Sequence, residues 1–327
     1  MPAARVPPGS GSPKLPPGSW DAHVHIFEPS RFPFKPDRSY NPQPAPLSSL
    51  IESPHAQQKN ILIVQASIES SPEGLATHLR EAKSQYPDRT LRGTMAADPD
   101  EETSAWHLSK LSEGYFRDLH DAGVRNIRVH GSYGGSGDQL EWVLGQFRTA
   151  AESYGGISVQ LPIGMWARMA PHVDALVQRG GGGGGDGPGC GGGPRGGKNK
   201  KKKVVLMADH NGSATPKGVG TSDYAAFLEL LASGKLTVKI GALHRRVEGG
   251  DIAAMEPVVK DYARVAPGGI VRGSDWPHVN TTHKGSEPGP PLSGVDTAAE
   301  LGLIKEWLAK EQWDGMMVHN PARLLGW

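Results

Sequence analysis

The chain has 327 residues, enough for one large barrel or two ordinary domains, and its formal net charge of +1 favours neither a nucleic acid nor a membrane surface as partner. The hydrophobic fraction is only 37%, held down by 44 glycines and 28 prolines, and the single cysteine, Cys190, excludes a disulfide framework and a cysteine-rich metal site. No stretch approaches the roughly 18 apolar residues of a membrane span, and the opening MPAARVPPGSGSPKLPPGS lacks the apolar core of a secretory signal, so a soluble, cytoplasmic protein is expected.

Residues 1–18 are rich in Pro, Gly and Ser and read as a disordered arm, which leaves 19–327 as one domain. Eight short, apolar, β-rich runs follow in order: 20–27 (WDAHVHIF), 60–67 (NILIVQAS), 91–98 (LRGTMAAD), 124–131 (VRNIRVHG), 157–162 (ISVQLP), 204–211 (VVLMADHN), 236–242 (LTVKIGA) and 269–277 (GIVRGSDWP). Between and after them, helix-period segments cover 72–86, 108–122, 139–153, 166–178, 223–232, 253–266 and 297–310. The first connection is the weakest helix, because Pro54 interrupts LSSLIESPHAQQ. Gly123 and Gly234 punctuate two helix ends. A run of nearly pure glycine, closing on Lys198 and Lys200 to Lys203, occupies about 179–203; it reads as a solvated loop insertion, with a nucleic-acid patch as the minor alternative.

Strands alternating with helices argue for a parallel sheet, and eight strands close a barrel. A doubly wound sheet would carry a glycine-rich phosphate turn after its first strand, whereas here that strand runs into Phe27-Glu28-Pro29. The fold expected is therefore α/β, a distorted single-domain (β/α)8 TIM barrel.

In a barrel the C-terminal ends of the strands meet at one mouth. Strand alternation puts His23 and His25 on one face. Strand six ends in Asp209-His210-Asn211 and strand eight in Ser274-Asp275-Trp276-Pro277-His278. His23, His25, His210 and Asp275 are thus the candidate catalytic set. His55, His78, His107 and His120 fall on or beside helices and are expected to face solvent; Trp142, Trp307 and Trp313 are expected to pack helices on the barrel. Asn320-Pro321 should open a terminal helix in a structural role.

DAHVHIF, ADHNG, GSDWPH and the terminal HNPARLLGW resemble the amidohydrolase superfamily, and within it the group of 2-pyrone-4,6-dicarboxylate lactonase and sugar lactonases. The resemblance runs from about Trp20 to Trp327, broken by the glycine-lysine insertion. It implies a hydrolase that opens a lactone or related ester or amide, with Asp275 as general base and acid and the three histidines polarising the carbonyl. It further implies no required metal. The alternative is one divalent cation such as zinc on His23, His25, His210 and Asp275. Strand five offers Gln160 where zinc-binding relatives place a histidine, and strand four carries Arg128 and His130 but no lysine for a bridging carbamate, so a binuclear site is not expected.

Arg128 matches a carboxylate-binding arginine, and Tyr40, Ser67, Gln160, Arg245, Arg246 and His278 fall at positions resembling substrate contacts. A second family arginine is replaced by Ser132-Tyr133-Gly134-Gly135, which argues against a dicarboxylated pyrone. The partner expected is a small molecule, a carboxylated lactone, with no nucleic acid, no membrane and a possible homo-oligomer. Two other functions remain open: a metal-dependent decarboxylase of an aromatic or muconic-type acid, and a non-catalytic scaffold.

Overall fold

Eight parallel strands stand side by side in chain order in the computed structural model, which describes residues 13–53, 58–98, 100, 102, 104–130, 140–153, 156–179, 204–283, 287–290 and 292–326. They are β1 (Trp20–Val24), β2 (Asn60–Val64), β3 (Thr90–Ala96), β4 (Val124–His130), β5 (Gly156–Gln160), β6 (Val205–Ala208), β7 (Leu236–Ile240) and β8 (Ile270–Arg272). The helices are α1 (Leu47–Glu52), α2 (Glu73–Gln85), α3 (Glu113–Ala122), α4 (Leu140–Ser153), α5 (Ile163–Arg179), α6 (Ser222–Ala232), α7 (Glu256–Val265), α8 (Thr297–Trp307), α9 (Lys310–Asp314) and α10 (Asn320–Leu325).

The ring closes through a seam just past the regular strands. Asp275 N–H donates to the His23 carbonyl at 2.8 Å and His25 N–H to the Trp276 carbonyl at 2.8 Å. Val24 and Trp276 form a parallel bridge there. The expected (β/α)8 barrel is therefore the fold, and its distortion is visible as register irregularities in the β1–β2 and β3–β4 pairs.

Helix boundaries follow local chemistry. The helix expected over 108–122 is a short 3-10 turn, Leu108–Lys110, and then α3, because the Ser112 side chain accepts from Tyr115 N–H and starts a new helix. Gly123, at φ 121°, ends α3 by donating to the carbonyls of Leu119 and His120. Segment 253–266 divides in the same way, with Pro257 in the first turn of α7, and segment 297–310 stops at Trp307. The interrupted first connection keeps only the six-residue α1.

Two apolar layers clasp the strands. Outward residues such as Ile61, Ile63, Ile127, Val159, Leu206, Val238 and Ile270 join the helices in one large cluster that includes Trp166, Phe147, Phe227 and Tyr262. Trp20, Ala22, Leu62, Val64, Met207 and Val271 pack with Leu324 and Leu325 of α10 in a second, smaller cluster. The Asn320 side chain donates to the carbonyls of Pro267 and Ile270, which bears out its structural role.

Three histidines expected in solvent are buried instead. His78 packs edge-on against Phe32, His107 caps the 3-10 turn through Ser109, and His120 lies on the buried face of α3. Position decides burial here: His78 and His120 sit on the inward faces of their helices and His107 at a helix cap. Trp313 is buried and Trp307 packs against the core, as expected. His55, the arm at 1–12, Ser132 to Gly135, the insertion at 180–203 and the side chains of His130 and Trp142 lie outside the described residues. Among the described residues no helix is long and apolar enough to cross a membrane.

Candidate active site at the barrel mouth

The first strand supplies two of the key side chains because it is irregular. Its register with β2 shifts between Asp21 and Val24, and such a bulge re-aims side chains. Asp21 and Val24 face a small cavity shared with Leu50 and Ile61, while His23 and His25 face the barrel axis. The Asp21 carboxylate accepts from His23 N–H at 3.2 Å and Ser274 N–H at 2.9 Å, so it pins the histidine strand to the strand that carries Asp275.

Three of the strands end on a residue of left-handed backbone conformation: His210 after β6 (φ 49°), Ala242 near the end of β7 (φ 49°) and Asp275 after β8 (φ 64°). Such conformations cost free energy in residues other than glycine and concentrate at functional sites. They swing these segments across the mouth. Gly241 permits the closest approach, since a Cβ there would lie 1.9 Å from Arg272 Nη1.

The four expected catalytic residues converge. Asp275 Oδ1 lies 3.4 Å from His25 Nε2, 3.8 Å from His23 Nε2 and 4.0 Å from His210 Nε2. All four are buried. His25 Nδ1 donates to the Val64 carbonyl at 2.7 Å; a carbonyl can only accept, so the Nε2 of a neutral His25 carries a lone pair. Burial, only partly offset by Asp209, pushes His23 down to about 3. Burial likewise holds His210 well below the usual histidine value, so both rings are neutral. Burial alone would raise Asp275, but the Arg245 guanidinium, with His210 and His25, holds its carboxyl well below the usual carboxylate range. Asp275 is an anion with one oxygen toward the histidines and the other accepting from Arg245 Nε at 2.5 Å.

Beneath this set lies a buried polar layer whose importance the sequence did not announce. Asp209 accepts from Arg128 Nε (2.8 Å) and Ser158 Oγ (2.8 Å), and pairs with Lys239 Nζ (2.9 Å). Its burial is outweighed by Lys239, His23 and Arg128, which hold it well below the carboxylate range. Lys239 also donates to Ser158 Oγ at 2.8 Å and lies 3.4 Å from His23 Nδ1. The available signal was the pattern LTVKI: a charge inside an apolar barrel strand must face a polar interior or stay unpaired.

The mouth is a cavity of about 310 Å³, large enough for a small ligand. Tyr40, Ser67, Arg128, Gln160, Arg245 and Arg246 line it beside His25, His210 and Asp275. Arg128 Nη2 donates to Gln160 Oε1 at 3.0 Å, so these two form one unit with Asp209. His278 stands behind this lining: its Nε2 meets Thr297 Oγ1 at 3.0 Å, it borders the small cavity with Asp21 and Ser274, and its ring packs edge-on against that of His244 with centroids 5.4 Å apart. His244 belongs to the stretch Leu243 to Arg246, after strand seven, whose sequence resembles substrate-contact positions. It lines the mouth, and both of its ring nitrogens are buried without a hydrogen-bond partner among the described residues.

His23, His25 and Asp275 could hold a metal ion, since their ligand atoms lie within 4.8 Å of one another. Imidazole nitrogens and a carboxylate suit one divalent ion of the zinc class. The lone pair that Val64 fixes on His25 Nε2 points the same way, so the residues fit the group.

No protein-family model matches the chain. Over 324 residues it is 28% identical to a 2-pyrone-4,6-dicarboxylate hydrolase of Comamonas testosteroni, with 95% of this chain and 91% of that protein covered. Over 324 residues it is 23% identical to a 4-sulfomuconolactone hydrolase of Hydrogenophaga intermedia, covering 95% and 90%. Among solved structures, a probable 2-pyrone-4,6-dicarboxylic acid hydrolase from Acinetobacter baumannii with citric acid bound superposes with a TM-score of 0.66 at 16% identity, covering 95% of this chain and 100% of that one. The likeness to lactonases read from the motifs is thereby borne out.

Proposed function

We propose that this protein hydrolyses a lactone bearing an anionic substituent, a reading that the two relatives named as hydrolases of such compounds support. One observation carries it: an ionised, buried Asp275 faces three histidine Nε2 atoms in a cavity lined by Arg128, Arg245 and Arg246.

Arginine guanidinium groups suit a carboxylate on the substrate. Tyr40 and Ser67 line the mouth together and present hydroxyls to the ring. His244, with two unsatisfied nitrogens, offers a further polar contact. Water adds to the lactone carbonyl carbon, and its proton passes to the Asp275 carboxylate as the new C–O bond forms. The charge that develops on the carbonyl oxygen is met by His210 and the Arg128 guanidinium. The ring C–O bond then breaks, and Asp275 returns the proton to the leaving oxygen. His25, whose Nδ1 is tied to the Val64 carbonyl, holds its Nε2 beside the Asp275 carboxylate and does not meet the oxyanion. A divalent cation on His23, His25 and Asp275 would supply Lewis-acid polarisation of the carbonyl. The chain's own donors cover that role, so turnover is expected to survive chelation.

A panel of lactones, with and without a free carboxylate, tests the reading. Carboxylated lactones should be opened, and Asp275→Asn should stay folded and lose about 10²-fold to 10⁴-fold in kcat, the usual worth of a general base. Near-normal turnover by that variant would remove Asp275 from its role. The donor set's fit to a cation also favours a second reading, decarboxylation of an aromatic or muconic-type acid. Carbon dioxide release that stops on chelation would install it instead.

A further inference from the structure

His23 stands at a fork. Its Nδ1 is 3.4 Å from Asp209 Oδ1, an acceptor, and 3.4 Å from Lys239 Nζ, a donor. Those two groups are 2.9 Å apart and fully buried. At the other end of the ring, Nε2 is 3.3 Å from the Nε2 of His25.

The two neutral tautomers of His23 have opposite consequences. With the proton on Nδ1, the ring donates to Asp209, and its Nε2 lone pair faces the lone pair of His25 and the Asp275 carboxylate. Three electron-rich atoms then point at one another, an arrangement that suits a bound cation. With the proton on Nε2, Lys239 donates to Nδ1, His23 donates to His25 Nε2, and His25 donates to the Val64 carbonyl. Every ring nitrogen of His23 and His25 is then satisfied with no cation present.

We propose that Lys239 and Asp209 act as opposed positioning residues on His23: Lys239 selects the tautomer that keeps the site bare, and Asp209 the tautomer that accepts a divalent cation. Lys239 thus explains how a chain with a ligand set for one metal ion works without it. The inference rests on the bare-site reading above, but it is read by cation binding and not by turnover.

The probe is zinc ion, its affinity measured by competition with a chromophoric chelator on the full chain, with thermal unfolding run in parallel. Lys239→Met, which removes the donor to Nδ1, should bind zinc about 10-fold more tightly. Asp209→Asn should bind it about 10-fold to 100-fold more weakly, the usual effect of removing a partner behind a ligating histidine. A pair that merely held the barrel together would shift both variants in the same direction, and that result overturns the proposal. Nitrogen-15 spectra of the unsubstituted protein need no variant. The Nδ1 of His23 should resonate as an unprotonated nitrogen in chelator and as a protonated one after one equivalent of zinc. A protonated Nδ1 already present in chelator also overturns it. Failure of the lactone panel leaves these zinc results standing, and failure here leaves lactone hydrolysis standing.

Discussion

Glu69 lies in the turn after β2, next to the rim residues Tyr40 and Ser67, and accepts from Ala66 N–H at 2.6 Å. Burial pushes its carboxyl from 4.5 up to about 8, only partly countered by that hydrogen bond. The native state therefore keeps a proton that the unfolded chain releases above about 4.5. The native state binds more protons across this interval, so this residue's contribution is present at acid pH and is lost as pH rises through 8. Glu69→Gln mimics the protonated form. Its urea midpoint should fall less between pH 6 and pH 9 than that of the unaltered protein; parallel losses would mean Glu69 is ionised throughout. At this scale the sequence disclosed the residues whose meaning depends on alternation, namely His23, His25 and Asp275. It did not disclose Lys239 or Asp209. Their roles depend on which strands face one another across the barrel axis, and no local pattern states that.

The β7 exit and α8 are joined by a buried carboxylate. Glu300 accepts from Leu243 N–H at 2.7 Å and pairs with Arg272 Nη2 at 2.8 Å. It thereby holds the turn through Ala242 that presents His244, Arg245 and Arg246 to the mouth. Glu300→Ala would leave Arg272 a buried charge without its counter-ion, a loss of about 3–5 kcal/mol. Urea unfolding should report it, and a shift under 1 kcal/mol would mean water reaches Arg272. Element existence was readable from periodicity, since all eight strands fall where apolar runs predict. Element ends were not. Ser112, Asp296 and Pro257 act through caps and first turns, which cut long apolar patterns into pieces.

For the molecule as a whole, the strand count and the missing phosphate turn were enough to separate a barrel from an open sheet. The glycine-lysine tract at 180–203 enters after α5 and leaves at β6, and it keeps the scaffold reading testable. Replacing residues 182–201 with a short Gly-Ser linker should leave lactone turnover unchanged; a lost cellular role with turnover intact would favour the scaffold. The seam between β1 and β8 has a different consequence. Asp21 and Ser274, which it joins, are 253 residues apart. The candidate site is completed by the first strand and the last, so no fragment emerging from a ribosome holds it. Chemistry begins only after the chain through β8 has been made and β8 has met β1. A nascent barrel stalled before β8 would be an inert, open-edged sheet, vulnerable to pairing with another chain.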